Sequence, residues 1–218
     1  MIDNYRSGSI FLARQLAQRK MIKTKLDSPT GEGFRLALHK KHPDAPLSPY
    51  YVDLRLLRSF PPLPRYAAEL ISGKVRADGV IYNLVADVPT AATPIVALLS
   101  DISDRPMITP REPKDHGSQA TIDGVYEVGQ TVLAVDDLIT GADSKLAAVK
   151  ILRDAGLVVT DVAVLLDREQ GGEAQLAKAG LTLHTIWTIT DLLSFYESEK
   201  IIPTDLVHEI NEYRRQVA

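Results

Sequence analysis

The chain has 218 residues, 45% hydrophobic and 24% charged, enough to bury a sizeable core as one domain with a small N-terminal addition. A formal charge of -3 excludes the global basic field that nucleic-acid binding relies on, so any anion site must be local. With no cysteine, disulfides, thiolate catalysis and cysteine-based zinc or iron-sulfur sites are excluded.

The N-terminal stretch is apolar but interrupted by Arg14, has no small-residue cleavage site, and is not followed by any run of apolar residues long enough to span a bilayer. A cytoplasmic protein with neither nucleic-acid nor membrane partners is expected.

Ile10, Ala13, Ala17 and Met21 recur at helical spacing, with Leu12 and Leu16 widening the stripe, which predicts an N-terminal helix. LHKKHPDAPLS breaks regularity, and SPYYVDLR follows as a β-rich run. Helix and strand patterns then alternate. PLPRYAAELISGKV is a predicted helix, GVIYNLVAD a strand, TAATPIVALLSDIS a helix and RPMIT a short strand.

A polar, irregular segment between Pro110 and Gln130 interrupts the series, and loops of that length inside a compact domain usually carry function or are disordered. The alternation resumes with TVLAVDD as strand, SKLAAVKILRDAG as helix, VVTDVAVLLDR as strand, EAQLAKAG as helix and LTLHTIWTI as strand. PTDLVHEINEYRRQ closes the chain as an amphipathic helix. Such alternation predicts an α/β fold with a mostly parallel sheet flanked by helices.

Asp136 and Asp137 fall at the carboxyl end of a predicted strand, where open α/β sheets place their ligands. Adjacent acids repel, so a cation or a hydroxyl-rich partner must satisfy them. Thr140, Gly141 and Ser144 follow, small residues that leave backbone N–H groups free at a helix N-terminus, a seat for a monophosphate. The acids can take hydroxyl hydrogens from a ribose whose 5′-phosphate the loop holds. A solvated Asp-Asp turn with Ser or Thr capping the helix explains the spacing equally well. Neither GxxxxGK[ST] nor GxGxxG occurs here, which removes the usual support for triphosphate or dinucleotide binding.

VLAVDDLITGADS resembles the phosphoribosyl-pyrophosphate signature of type I phosphoribosyltransferases: four apolar residues, two acids, two apolar residues, then Thr, small residues and Ser or Thr. SPYYVDLR, ADVPTAATP, PREPKDHG and LLDREQGG resemble, in the same order, segments of orotate phosphoribosyltransferases, over about residues 33–195. The resemblance implies one phosphoribosyltransferase domain, with a helix and hood over about residues 1–60, a core over about 61–200 and a C-terminal helix at 201–218.

It implies that phosphoribosyl is transferred from phosphoribosyl pyrophosphate to orotate, giving orotidine 5′-monophosphate and pyrophosphate in de novo UMP synthesis, with Mg2+ on the sugar-pyrophosphate oxygens. The sugar-phosphate contacts carried over are Asp136, Asp137, Leu138, Ile139, Thr140, Gly141, Ala142, Asp143 and Ser144, with Pro89 and Thr90 meeting the pyrophosphate through backbone amides. Thr140 and Arg168 are expected to hold orotate, with Tyr50 and Tyr51 beside the pyrimidine. The resemblance also implies that Arg111, Lys114 and His116 form a basic loop closing over the neighbouring subunit's site of a homodimer and act in catalysis together with Asp137.

Five positions depart from the family pattern. Asp87 stands where a glycine is usual, Pro110 replaces a cation, Ala142 replaces a glycine, Asp143 a neutral hydroxyl residue, and Ala37 the lysine that precedes the hood strand. These leave open a chain that binds phosphoribosyl pyrophosphate as a regulator, or one that acts on another base.

Overall fold

The computed structural model describes residues 2–36, 39, 42–111 and 120–216, with side chains from Ser7 onward. Helix α1 (Ile2–Gln18) buries Leu12, Ala13 and Leu16, while Met21, also buried, lies in the turn beyond it. Strands β1 (Ile22–Thr24) and β2 (Tyr50–Val52) pair antiparallel as a separate two-stranded sheet. Period-2 alternation on β2 turns Tyr50 inward, at 1% exposure, and leaves Tyr51 half-buried. Helix α2 (Pro62–Ala77) starts at a proline, a residue suited to a first turn whose N–H groups have no intrahelical acceptor.

The main sheet contains β3 (Leu84–Asp87), β4 (Met107–Pro110), β5 (Ile122–Asp123), β6 (Thr131–Ile139), β7 (Val158–Asp167) and β8 (Thr182–Thr188), in the order β5-β4-β3-β6-β7-β8. Every neighbouring pair is parallel except β4 with β5. Helices α3 (Thr93–Ser103), α4 (Asp143–Asp154), α5 (Gly172–Lys178), α6 (Ile189–Ser198) and α7 (Thr204–Gln216) complete the α/β architecture. Leu133 and Val135 of β6 pack with α1, α2 and α3 on one face, and Val132 and Ala134 with α4 on the other. A strand buried on both faces reads as a continuous apolar run, as this one does.

The expected strand over 79–87 begins only at Leu84; the preceding residues include the 86% exposed Ile81. Helix α6 was not foreseen, although Thr188 and Asp191 form a reciprocal capping box at its start. Among the described residues, no helix is long and apolar enough to cross a membrane.

Candidate active site

The strand order reverses between β3 and β6, and open α/β sheets open a crevice at the carboxyl ends on either side of such a reversal. There, β6 runs on to Ile139 after its pairing with β3 ends at Asp87 opposite Val135. The stretch beyond that pairing, still held by β7 on its other side, carries the two acids.

Asp136 Oδ1 accepts the N–H of Asp137, and Asp137 Oδ1 accepts the N–H of Leu138, each at 2.8 Å. Both acids are buried, at 5% and 8% exposure. Alternation along the strand sends them to opposite faces of the sheet. Asp136 meets a cation: Lys145 Nζ lies 2.5 Å from its Oδ2, with both side chains almost wholly buried. Burial, reinforced by the charge of Asp136 next to it, pushes the carboxyl of Asp137 up to about 7.

Lys145 escaped the sequence reading because lysine is taken by default to be a solvated residue. Its position was the available signal: Lys145, Ala148, Val149 and Leu152 form the i, i+3, i+4, i+7 stripe that α4 buries. The repulsion between the acids is therefore answered within the chain.

The turn from β6 into α4 holds Thr140, Gly141, Ala142, Asp143 and Ser144. Thr140 is half-buried, Gly141 and Ser144 are exposed, and Leu138 and Ile139 pack into the core on either side of the sheet. Ala142 is fully buried at the N-cap of α4, and its N–H donates to Gln175 Oε1 of α5 at 2.8 Å. Asp143 is exposed in the first turn, where its charge faces the positive end of the helix; no side-chain cap hydrogen bond forms there.

Helix α5 approaches this turn so closely that a Cβ on Gly172 would lie 2.5 Å from Ile139 Cγ1 and 2.7 Å from the Thr140 carbonyl oxygen. Gly171 before it has φ of 86°, in the left-handed region. The Gly-Gly pair is what lets α5 seat the loop.

Asp87, at 1% exposure, accepts hydroxyl hydrogen bonds from Thr93, at the start of α3, and from Thr109 of β4, the latter at 2.6 Å. It ties three elements together at the base of the crevice. Pro89 and Thr90 are exposed above it, and the Thr90 carbonyl accepts from Arg58 Nη2 at 2.6 Å.

Arg168 directly follows β7 and is 9% exposed. Its guanidinium lies over the Tyr50 ring, 5.0 Å from the centroid, and its Nε and Nη2 are buried with no hydrogen-bond partner. The Tyr50 hydroxyl is also buried and unpartnered. Tyr51 faces the other way, against Phe34 at 5.6 Å between ring centroids, and accepts from Arg55 Nη2 at 3.1 Å. The structure thus brings Tyr50 to Arg168 and sends Tyr51 to the rim. A buried guanidinium without an anion is costly, and a planar carboxylate is the group that matches its fork.

Of the basic loop, Arg111 is described: its Nε bonds Asp123 Oδ1 at 2.8 Å and its Nη1 is buried without a partner. Lys114, His116 and Ala37 lie outside the described residues. No group of three His, Asp or Glu side chains placed to hold a metal occurs among the described residues.

A mostly parallel sheet that reverses its order between β3 and β6, with an acid pair, a small-residue turn and a helix N-terminus at the reversal, has the architecture expected of a type I phosphoribosyltransferase. No family model matches the chain. It is 36% identical over 165 residues to the orotate phosphoribosyltransferase of Caenorhabditis elegans, covering 75% of this chain and 73% of that protein. It is 31% identical to uridine 5′-monophosphate synthase of Bos taurus, over 78% of this chain but only 36% of the longer protein. The structure of Leishmania donovani UMP synthase superposes with a TM-score of 0.79 at 28% identity, over 95% of this chain and 42% of that one. The chain belongs to the orotate phosphoribosyltransferase family.

Proposed function

We propose that the chain is an orotate phosphoribosyltransferase, joining orotate to the ribose of phosphoribosyl pyrophosphate in UMP synthesis. The observation that carries this reading is Arg168: a buried guanidinium stacked on Tyr50, with two nitrogens free for an anion, beside the acid-and-loop crevice. Family membership gives it its chemical context.

In this reading the C1–O bond of the sugar breaks and pyrophosphate leaves with the electron pair. The ring nitrogen of orotate donates its own pair to C1, and its proton passes to the departing pyrophosphate. Asp137 takes ribose hydroxyl hydrogens, and the turn from Thr140 to Ser144 faces the 5′-phosphate with the N-terminus of α4. Seating that phosphate requires Gln175 to release the Ala142 N–H or share it with the phosphate. Pro89 and Thr90 border the pyrophosphate, while Arg168, Tyr50 and Thr140 orient the base.

Arg111, Lys114 and His116 supply positive charge where negative charge develops on the leaving group, each loop serving the partner site of a homodimer. Mg2+ carried by the substrate would supply further positive charge to the leaving diphosphate, and no side chain of this chain is assigned to hold it. The protein's work is positioning and electrostatics; no side chain becomes a covalent nucleophile.

A second reading, a chain that binds phosphoribosyl pyrophosphate without turnover, is favoured by one observation: Lys145 occupies Asp136, an acid the reaction would use. Initial rates with orotate, followed by the loss of its absorbance, separate the two. Magnesium-dependent turnover with orotate supports the enzyme. Calorimetric binding of phosphoribosyl pyrophosphate with no turnover on orotate, uracil or purine bases supports the regulator.

A further inference from the structure

The C-terminal helix α7 packs an apolar stripe of Leu206, Val207, Ile210 and Tyr213 onto the core. Three of these residues only fill space. Tyr213 does more: its hydroxyl is buried beside Ser48 and near Tyr50 and Arg168, and makes no well-formed hydrogen bond there. Ser48 is itself fully buried and gives its proton to the Tyr50 carbonyl oxygen at 2.7 Å.

The next residue on the helix reaches the same region from outside. Arg214 Nη2 bonds Glu169 Oε2 at 2.7 Å, and that oxygen also accepts from the N–H and hydroxyl of Thr190 on α6. Glu169 follows Arg168 and has φ of 54°, a conformation that costs a non-glycine residue energy and persists only when its surroundings hold it. Glu209 of α7 pairs with Lys25, directly after β1, at 2.5 Å. The helix is therefore fastened to the turn that carries Arg168 and to the segment before β2.

Among the described residues, seven buried side-chain nitrogen or oxygen atoms lack a partner, and five of them belong to Tyr50, Arg168, Tyr213 and Arg214. Native interiors leave few such groups, and a cluster of them needs an explanation. A common ligand with both donors and acceptors supplies one.

We propose that Tyr213 is a specificity-determining residue for the acceptor base, with α7 forming a wall of the base pocket. The unpaired phenol and the unpaired guanidinium face one planar, carboxylate-bearing heterocycle: Arg168 meets the carboxylate and Tyr213 donates to an acceptor oxygen of the same molecule. The Arg214–Glu169 contact holds the strained turn, and with it Arg168, against the helix. This inference rests on the reading of the chain as an orotate phosphoribosyltransferase.

The test is Tyr213→Phe, which keeps the ring and removes one hydroxyl. Initial rates with varied orotate should show the KM for orotate rising about five- to tenfold, the loss expected for one hydrogen bond, with the KM for phosphoribosyl pyrophosphate unchanged. The melting temperature should change little, because the hydroxyl removed makes no well-formed hydrogen bond in the free protein. Arg214→Gln provides the second variant and should raise the same KM by loosening the turn. An orotate KM within twofold of wild type for Tyr213→Phe, or a rise in both KM values accompanied by a lower melting temperature, would overturn the proposal while leaving the function reading intact. A wild-type chain that neither binds nor turns over orotate would overturn both.

Discussion

Lys145 Nζ sits 2.5 Å from Asp136 Oδ2, in an ion pair closed off from solvent at the end of β6. The contact joins the first turn of α4 to the strand that precedes it and fixes the loop between them. Removing one partner of such a pair strands a buried charge, which typically costs about 3–5 kcal/mol, whereas replacing both with apolar groups costs little.

Lys145→Met should therefore destabilise the fold by about that much in urea denaturation. The double variant Lys145→Met, Asp136→Leu should recover most of the loss. Additive costs in the double variant would show that the two residues do not act as a pair.

The raised carboxyl of Asp137 sets a pH dependence with opposite signs for stability and binding. Its ordinary value is 3.8 and its folded value about 7. Between these the folded chain keeps a proton that the unfolded chain has lost, so this group's contribution to stability falls as pH rises and is gone above about pH 7. Ribose hydroxyls donate more strongly to an ionised carboxylate than to a protonated one. Affinity for phosphoribosyl pyrophosphate should therefore rise across pH 7 beyond what titration of the ligand explains. Calorimetry from pH 6 to pH 8 should find that extra rise in the wild type and a flatter profile in Asp137→Asn; identical profiles would refute the role.

Asp87, read from the sequence as a departure next to a polyanion, is a tie between β3, α3 and β4. Asp87→Ala leaves two threonine hydroxyls without their acceptor, at about 1–3 kcal/mol for each left unsatisfied. Asp87→Asn should leave phosphoribosyl-pyrophosphate affinity within twofold. Tighter binding by the Asn variant would mean that the acid opposes the ligand instead of organising the loop.

The α/β order and the acid pair near a strand end were legible because they depend on local pattern: alternating periodicities and a carboxyl-end position. The close approach of α5 to Ile139, which makes Gly172 obligatory, was not, since it is a distance between segments far apart in the chain. Lys145 and Tyr213 were missed for a related reason. Each lies on the buried stripe of its helix, but the groups it faces come from other elements, and a stripe alone cannot say whether a polar residue in it has a partner. The partner of Asp136 was sought in a ligand, and it lies nine positions along the chain.

In the proposed function, Arg168, buried with two nitrogens unpartnered, receives the carboxylate of the acceptor base. The most direct measurement compares kcat/KM for orotate and for uracil, which lacks that carboxylate, in wild type and Arg168→Met. Truncating one side of a buried charged hydrogen bond costs about 2–5 kcal/mol, roughly 30-fold or more in rate constant. Arg168→Met should lose at least that much with orotate and change by less than about threefold in whatever residual rate uracil shows, so that the preference for orotate collapses. Equal losses on the two bases, or an orotate rate untouched by the substitution, would contradict it.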